Sequence, residues 1–455
     1  MPAPETSAEV GAADAPAVAS AGPVRTRAPL PVLILVAALF VLSLLKGLRM
    51  PNLWSATHMT FNYSQGFIRR GLFGQILRLG GRAIYKYDSL ALLAAILFVI
   101  AWAAIARLVR RALDTDGSDP GAVAMALVFA ASPGVVFLAH EIGYLDYIGL
   151  AVVPLFILWA ARTRRRWAVF YAVVVISVVL TLIHESMIIM FAPTMWLVMA
   201  GHIARESRAR TLTRRTLALL VGHAALAALL GMVVSSLVGT LGTRSPARIH
   251  ALHASIARFT NFPLRGDGFE ALYRPVRDNL LHLMPRHWSY ESNQRYLING
   301  WLASIPGLVV MSVYALRLVG RLAQPRLARV TLSALFLIAT FSPQLLNFVG
   351  WDAARWNAIC YVAAFNCIAA LRLFFVAPPL RGHAAAPGAG HDPRRYRVDG
   401  PWMLTLAGAA IAIGLTANYP GFLFDGYVVQ WFPFDGQLRS LQELIRNHFT
   451  FVPGA

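Results

Sequence analysis

Acidic residues are scarce in this chain. Its 455 residues include 21 Asp and Glu against 41 Lys and Arg, a net charge of +20. Lysine is nearly absent as well, since every basic residue except Lys46 and Lys86 is arginine. Cysteine is limited to Cys360 and Cys367 inside one apolar run, which offers neither a disulfide framework nor a metal-ligand spacing. Both read as reduced packing residues. No glycine-rich phosphate loop, dinucleotide fingerprint or nucleophile elbow occurs in a strand–helix setting. ATP hydrolysis and soluble-cofactor redox chemistry are therefore not expected, and energy must come from an activated substrate or an existing gradient. The pairs His140-Glu141 and His184-Glu185 each lack the second histidine of a zinc-protease helix.

What is abundant is hydrocarbon. The chain is 57% hydrophobic, and apolar runs of about twenty residues recur, each long enough to cross a core roughly 30 Å thick. Continuous runs, rather than alternating ones, select helices over a barrel. The expected class is an all-α polytopic membrane protein with about eleven spans, near 30–48, 88–109, 121–139, 147–161, 168–184, 187–201, 217–241, 298–316, 331–349, 356–376 and 402–417. Residues 1–28, rich in Ala, Pro, Ser and Thr, read as a disordered cytoplasmic tail. Residues 29–417 form the membrane domain, and 418–455 an aromatic-rich outer tail.

A cytoplasmic amino terminus places the arginines of 110–111, 162–166, 205–215, 317–329 and 381–397 in cytoplasmic loops. An odd number of spans then sends the carboxyl terminus outside. The arginines fall between apolar runs and form no single patch, so no nucleic-acid partner is expected. The outer face keeps residues 49–87, the long basic loop 242–297 and several short turns. Within 49–87, residues 61–78 read as an interfacial helix, with Ile68, Leu72, Ile76 and Leu79 as one stripe opposite Arg70, Gln75, Arg78 and Arg82.

The same topology gathers the acids and histidines of the apolar segments at the outer boundary: His140-Glu141 and Asp146, His184-Glu185, and Asp352 with Arg355. Charge in a bilayer costs roughly 2.5–3.5 kcal/mol per residue on insertion scales, so such a cluster points to function. Glu141 and Asp146 are candidate general bases. Their structural alternative is an interface turn with solvated acids, anchored by Tyr144 and Tyr147. Glu185 requires an arginine partner such as Arg69, Arg70 or Arg355 if it is buried. Asp352 and Arg355 are spaced for a local ion pair, and Trp351 and Trp356 suit either interface anchoring or stacking on a sugar ring. Arg69 and Arg70 suit lipid phosphate, whether bulk lipid or a substrate. A divalent cation (Mg or Mn) is left open, because nothing in the spacing specifies one.

In layout the chain resembles the GT-C class of bacterial membrane glycosyltransferases and, more loosely, the O-antigen polymerases. The likeness lies in about a dozen spans, a first outer loop with an amphipathic helix, acids at the outer ends of early spans, and a later long outer loop. It implies a polyprenyl-phosphate-linked sugar donor, a glycan or lipid acceptor and a location in the bacterial inner membrane. By that resemblance Glu141 or Asp146 would be the base. His184 and Glu185 would orient it, while Arg69, Arg70, His140, Asp352, Arg355 and Trp351 would bind substrate. One departure is clear: the class generally carries an acid in its first outer loop, and residues 49–87 contain none. The alternatives are a polysaccharide polymerase or ligase, a transporter or lipid flippase, and an assembly subunit.

Overall fold

The computed structural model describes residues 28–115, 119–206, 211–241, 245–350 and 352–376. The expected tail 1–28 (save Ala28), the eleventh span 402–417, the outer tail 418–455 and Trp351 lie outside the described residues.

Among the described residues the chain is helical, with no strand. The first element is α1 (Leu30–Gly47), followed by the short α2 (Leu53–Met59) and α3 (Leu72–Leu79). Next come α4 (Tyr87–Leu113), α5 (Pro120–Ala130), α6 (Pro133–His140), α7 (Asp146–Ala160), α8 (Arg166–Ile183), α9 (Met187–Glu206) and α10 (Arg214–Leu241). A cap then forms from α11 (Pro246–Ala257), α12 (Gly266–Tyr273), α13 (Val276–Asp278) and, after a π turn, α14 (Met284–Ser289). The long α15 (Glu291–Arg321), α16 (Arg326–Phe341) and α17 (Ala353–Leu371) complete it.

Among the described residues eight helical segments are long and apolar enough to cross a membrane, and two shorter apolar helices, Leu30–Leu45 and Asp146–Ala160, join them. The segment 120–140 is one apolar run in sequence but two helices in space. Pro133 cannot continue the hydrogen-bond ladder, and the Ser132 hydroxyl caps a new helix by accepting from the Val135 N–H at 3.3 Å.

The bundle has a centre and a rim. Every residue of α17 is buried, among α4, α5, α6, α7, α9, α15 and α16. Burial of the apolar windows separates the two zones: 94% for Ala353–Val376 and for Pro120–His140, but 33% for Arg166–Ile183 and 22% for Arg214–Val234. Helices α8 and α10 therefore give most of their surface to lipid.

Long-range contacts gather residues 49–70, 140–146, 184–186, 265–274 and 352–355 at one end of the bundle, here the acid end. The opposite, arginine end joins 112, 119, 161–163, 205, 212, 324 and 372. There Arg372 and Asp119, both about 1% exposed, pair directly, with the Tyr314 hydroxyl donating to Asp119 at 2.9 Å.

The expected interfacial helix over 61–78 is corrected. Only Leu72–Leu79 is helical, and residues 61–71 run irregularly, with Arg70 at φ 60°. Ile68 leaves the expected stripe to join Phe61, Ile249, Leu252, Ile256, Phe269 and Leu272 in a separate small core. The physical reason is tertiary: burying Ile68 beneath the cap removes it from water more fully than one face of a surface helix would. Gly74 permits the fold-back, since a Cβ there would lie 2.1 Å from the Phe61 carbonyl oxygen.

Candidate functional site

Three arginine–carboxylate pairs form the acid end. In the first, Arg49 follows α1 and reaches across to the end of α6. Its Nε donates to the His140 carbonyl at 2.7 Å and its Nη2 to Glu141 Oε1 at 3.1 Å. His140 thus contributes a carbonyl to the pair. The turn after it needs Gly143 at φ 92°, where a Cβ would also sit 2.8 Å from Ser55 Oγ.

In the second pair Arg355, at the start of α17, meets Asp146, at the start of α7, through Nε–Oδ2 and an Nη2–Oδ1 bond of 2.8 Å. Side-chain exposure is 8% and 2%. The expected local partner Asp352 is also present, at 3.6 Å from Nη1, but Asp146 holds the bidentate contact. The guanidinium lies 4.6 Å from the Tyr144 ring centre and 4.7 Å from that of Trp356. Tyr144 therefore packs on the arginine inside the site. Trp356 is 5% exposed, which removes it from lipid anchoring.

In the third pair Arg70 Nη2 donates to Glu185 Oε1 at 2.6 Å, with Nε at 3.0 Å from Oε2. Arg69 Nη1 stands 4.0 Å from the same carboxylate. The rest of Arg69 serves the cap: its guanidinium donates to the carbonyls of Ala271, Leu272 and Arg274 at 2.7–3.0 Å. These are carbonyls at the end of α12, so Arg69 closes that helix onto the bundle.

Burial and charge set the protonation states. Burial pushes the Glu141 carboxyl up to about 7, opposed by Arg49 and supported by Asp352. Its Oε2 is buried without a hydrogen-bond partner, with the Tyr144 hydroxyl only a loose polar neighbour. Burial also raises Asp352 above its usual range, against the pull of Arg355. Glu185 behaves oppositely: burial would raise it, but Arg70 holds it well below the carboxylate range. His184 is pushed down to about 3 by burial and by Arg70. The Ser186 backbone N–H donates to its Nδ1 at 3.3 Å, so Nδ1 accepts and Nε2 carries the proton of a neutral ring.

Two contributors were missed in the sequence. Arg49 sits where a span-flanking arginine would sit anyway. His58 is a lone histidine in a short amphipathic stretch, with no spacing signal. In the fold it is 6% exposed, its ring centre 4.6 Å from that of Trp54 and 5.0 Å from that of Phe61, both tilted. Burial and the nearby charge of Arg70 hold it neutral, and Nε2 has no hydrogen-bond partner. Gly268 of the cap lies over it, its would-be Cβ 3.6 Å from that nitrogen.

The arrangement brings Glu141, Asp146, His184, Glu185, Arg69, Arg70, His140, Asp352 and Arg355 to one end. Arg49, Arg69, Arg70 and Arg355 balance Glu141, Asp146, Glu185 and Asp352 in charge. Among the described residues no three metal-ligating side chains converge, and each of these carboxylates is already engaged by an arginine. A cation there would have to displace at least one of these ion pairs.

Residues 29–248, just under half the chain, match the model of a family described as uncharacterised membrane protein Rv1490. The chain is a multi-span membrane protein. The match takes in Arg49, Arg69, Arg70, Glu141, Asp146 and Glu185, and stops before Asp352 and Arg355. No curated protein and no solved structure matches the chain.

Proposed function

We propose that the acid end is the active site of a glycosyltransferase. It would move a sugar from a polyprenyl-phosphate-linked donor to a glycan or lipid acceptor at the outer face of the bacterial inner membrane. One observation carries the reading: Glu141 has one oxygen fixed by Arg49 and the other buried beside the Tyr144 hydroxyl with no formed hydrogen bond, and burial raises the carboxyl to about 7. That is the condition of a general base poised for a hydroxyl.

Glu141 Oε2 takes the acceptor hydroxyl proton as the acceptor oxygen bonds to the anomeric carbon. The carbon–oxygen bond to the phosphate breaks, and its electron pair leaves on the phosphate. Arg70, whose Nη1 makes no hydrogen bond among the described residues, and Arg355 stabilise that charge. Asp146 and Glu185 orient these two guanidiniums, Asp352 adds to the field around Glu141, and neutral His184 and His58 line the acceptor side. No step requires a cation. Orientation follows the arginine end, whose turns belong in the cytoplasm.

A polysaccharide polymerase or ligase is favoured by a different observation. The cap exposes Arg248, Arg258, Arg277 and Arg286, which suit a polyanionic lipid pyrophosphate. Profiling of envelope glycans and lipid-linked sugars in cells carrying wild type or Glu141→Gln tests both readings. Loss of one glycan with accumulation of its lipid-linked monosaccharide precursor supports the transferase. Accumulation of a lipid-linked repeat unit supports the polymerase. An unchanged profile at normal protein level refutes both.

A further inference from the structure

A cleft of about 660 Å³ opens at the arginine end, lined by Arg164, Arg165, Arg166, Trp167, Tyr171 and Thr216 among others. It lies far from the acid-end chemistry, in the turn between α7 and α8 and against the start of α10. The turn is held rigidly from behind: Arg205 donates from Nη1 to the Ala161 carbonyl at 2.5 Å and from Nη2 to the Thr163 carbonyl at 3.0 Å. Arg165 and Arg166 make no ion pair among the described residues, and Arg166 stacks over the Trp167 ring at 5.2 Å. No acid occurs between Tyr147 and His184, or from residue 207 to 266, so neither flanking segment supplies a counter-charge. The first turn of α8, whose Arg165 and Arg166 line the cleft, has no side-chain cap, so its N–H groups add positive potential at that end of the helix.

Arginines that only orient the chain in the membrane need no cavity. Here a cationic opening continues into an apolar path: Trp167, Tyr171, Val175 and Val179 recur every four residues along α8, 52%, 62%, 59% and 40% exposed. One ligand chemistry satisfies both halves, a phosphate joined to hydrocarbon chains. We propose that the α8–α10 cleft is a binding site for an anionic phospholipid of the inner leaflet. The phosphate sits on Arg165 and Arg166 above Trp167, and the acyl chains lie along the α8 stripe. Arginine suits this role because its planar fork meets phosphate oxygens in pairs and stacks on an aromatic face.

The test uses the full-length protein in detergent, with bound lipid counted by native mass spectrometry. The probes are phosphatidylglycerol, phosphatidylcholine, glycerol phosphate and inorganic phosphate. Selective retention of phosphatidylglycerol is expected, about thirty-fold weaker in Arg165→Gln/Arg166→Gln and unchanged in Arg107→Gln/Arg110→Gln on the exposed side of α4. Equal retention of phosphatidylcholine, or undiminished selectivity in the first variant, overturns the proposal. Full competition by inorganic or glycerol phosphate overturns the lipid assignment in favour of a soluble anion. Should the Arg165/Arg166 variant not fold, photoactivatable phosphatidylglycerol on the wild type decides. Crosslinks at residues 164–171 and 216 uphold the site, and crosslinks confined elsewhere refute it.

Discussion

Removing Arg355 should cost the bundle more than removing the acid it holds. Asp146 is 2% exposed and receives both arms of the guanidinium. In Arg355→Met the carboxylate keeps its charge and loses its partner, and Asp352 loses the same partner from 3.6 Å. Leaving one buried charge unpaired costs about 3–5 kcal/mol, and the stacking on Tyr144 and Trp356 is lost as well. In Asp146→Asn the amide still accepts from Arg355, and Asp352 still supplies a counter-charge. That loss should be about 1–3 kcal/mol. The double variant restores charge neutrality at the pair and should fall short of the summed single losses by about 2 kcal/mol. The chain carries its own reporter, since Cys360 and Cys367 are both 0% exposed and lie on the same helix as Arg355. Thermal unfolding followed with a thiol-reactive fluorophore therefore reads loss of the α17 packing directly. Equal losses in the two single variants, or strict additivity in the double, would refute the reasoning.

If Glu141 is the base, transfer activity should rise with pH through about 7, because the carboxyl must lose its proton to act. A limb below pH 5 would remove Glu141 from that role. The neutral ring of His184, pushed down to about 3, makes the fold lose stability as pH falls from the unfolded value near 6.5. His184→Gln should flatten that acid slope in the same thermal assay, and an unchanged slope counts against it. Arg69→Lys replaces a fork bonded to three carbonyls by a single ammonium, so limited proteolysis within 246–289 should accelerate several-fold while the spans stay protected. Gly143→Ala places a Cβ against Ser55 at a positive φ and should destabilise by about 1–3 kcal/mol, measurable with the same thiol probe.

The spans were legible because hydrocarbon thickness imposes a length on apolar runs that no tertiary contact needs to supply. The ten runs from 30–48 to 356–376 have helical counterparts, with ends displaced by a turn or so, most of all where α15 starts at Glu291 inside the outer loop. Clustering of the acids at one end was also readable, since turns between antiparallel helices alternate in side. Pairing was not. Arg355 and Asp146 are separated by 209 positions, and nothing local distinguishes Asp146 from Asp352 as the stronger partner. Sequence arithmetic left Arg69 and Arg70 equivalent, whereas the fold gives one to a carboxylate and the other to three carbonyls. The irregular path 61–71 escaped for the same reason: its second core forms with residues nearly two hundred positions away.

The central position of α17 bears on how the protein is made. A ribosome delivers α1 to α16 first, so the seven earlier described segments long enough to span, with the two shorter apolar helices, enter the bilayer with their common centre still empty. Asp146 then sits in an unfinished bundle with Arg355 not yet synthesised, and only insertion of the last described helix supplies both the packing axis and the counter-charge. Assembly of the core and completion of the acid end are one late event. A chain truncated before residue 353 would reach the membrane as an open ring of helices, exposing to membrane quality control the acids that the finished protein conceals.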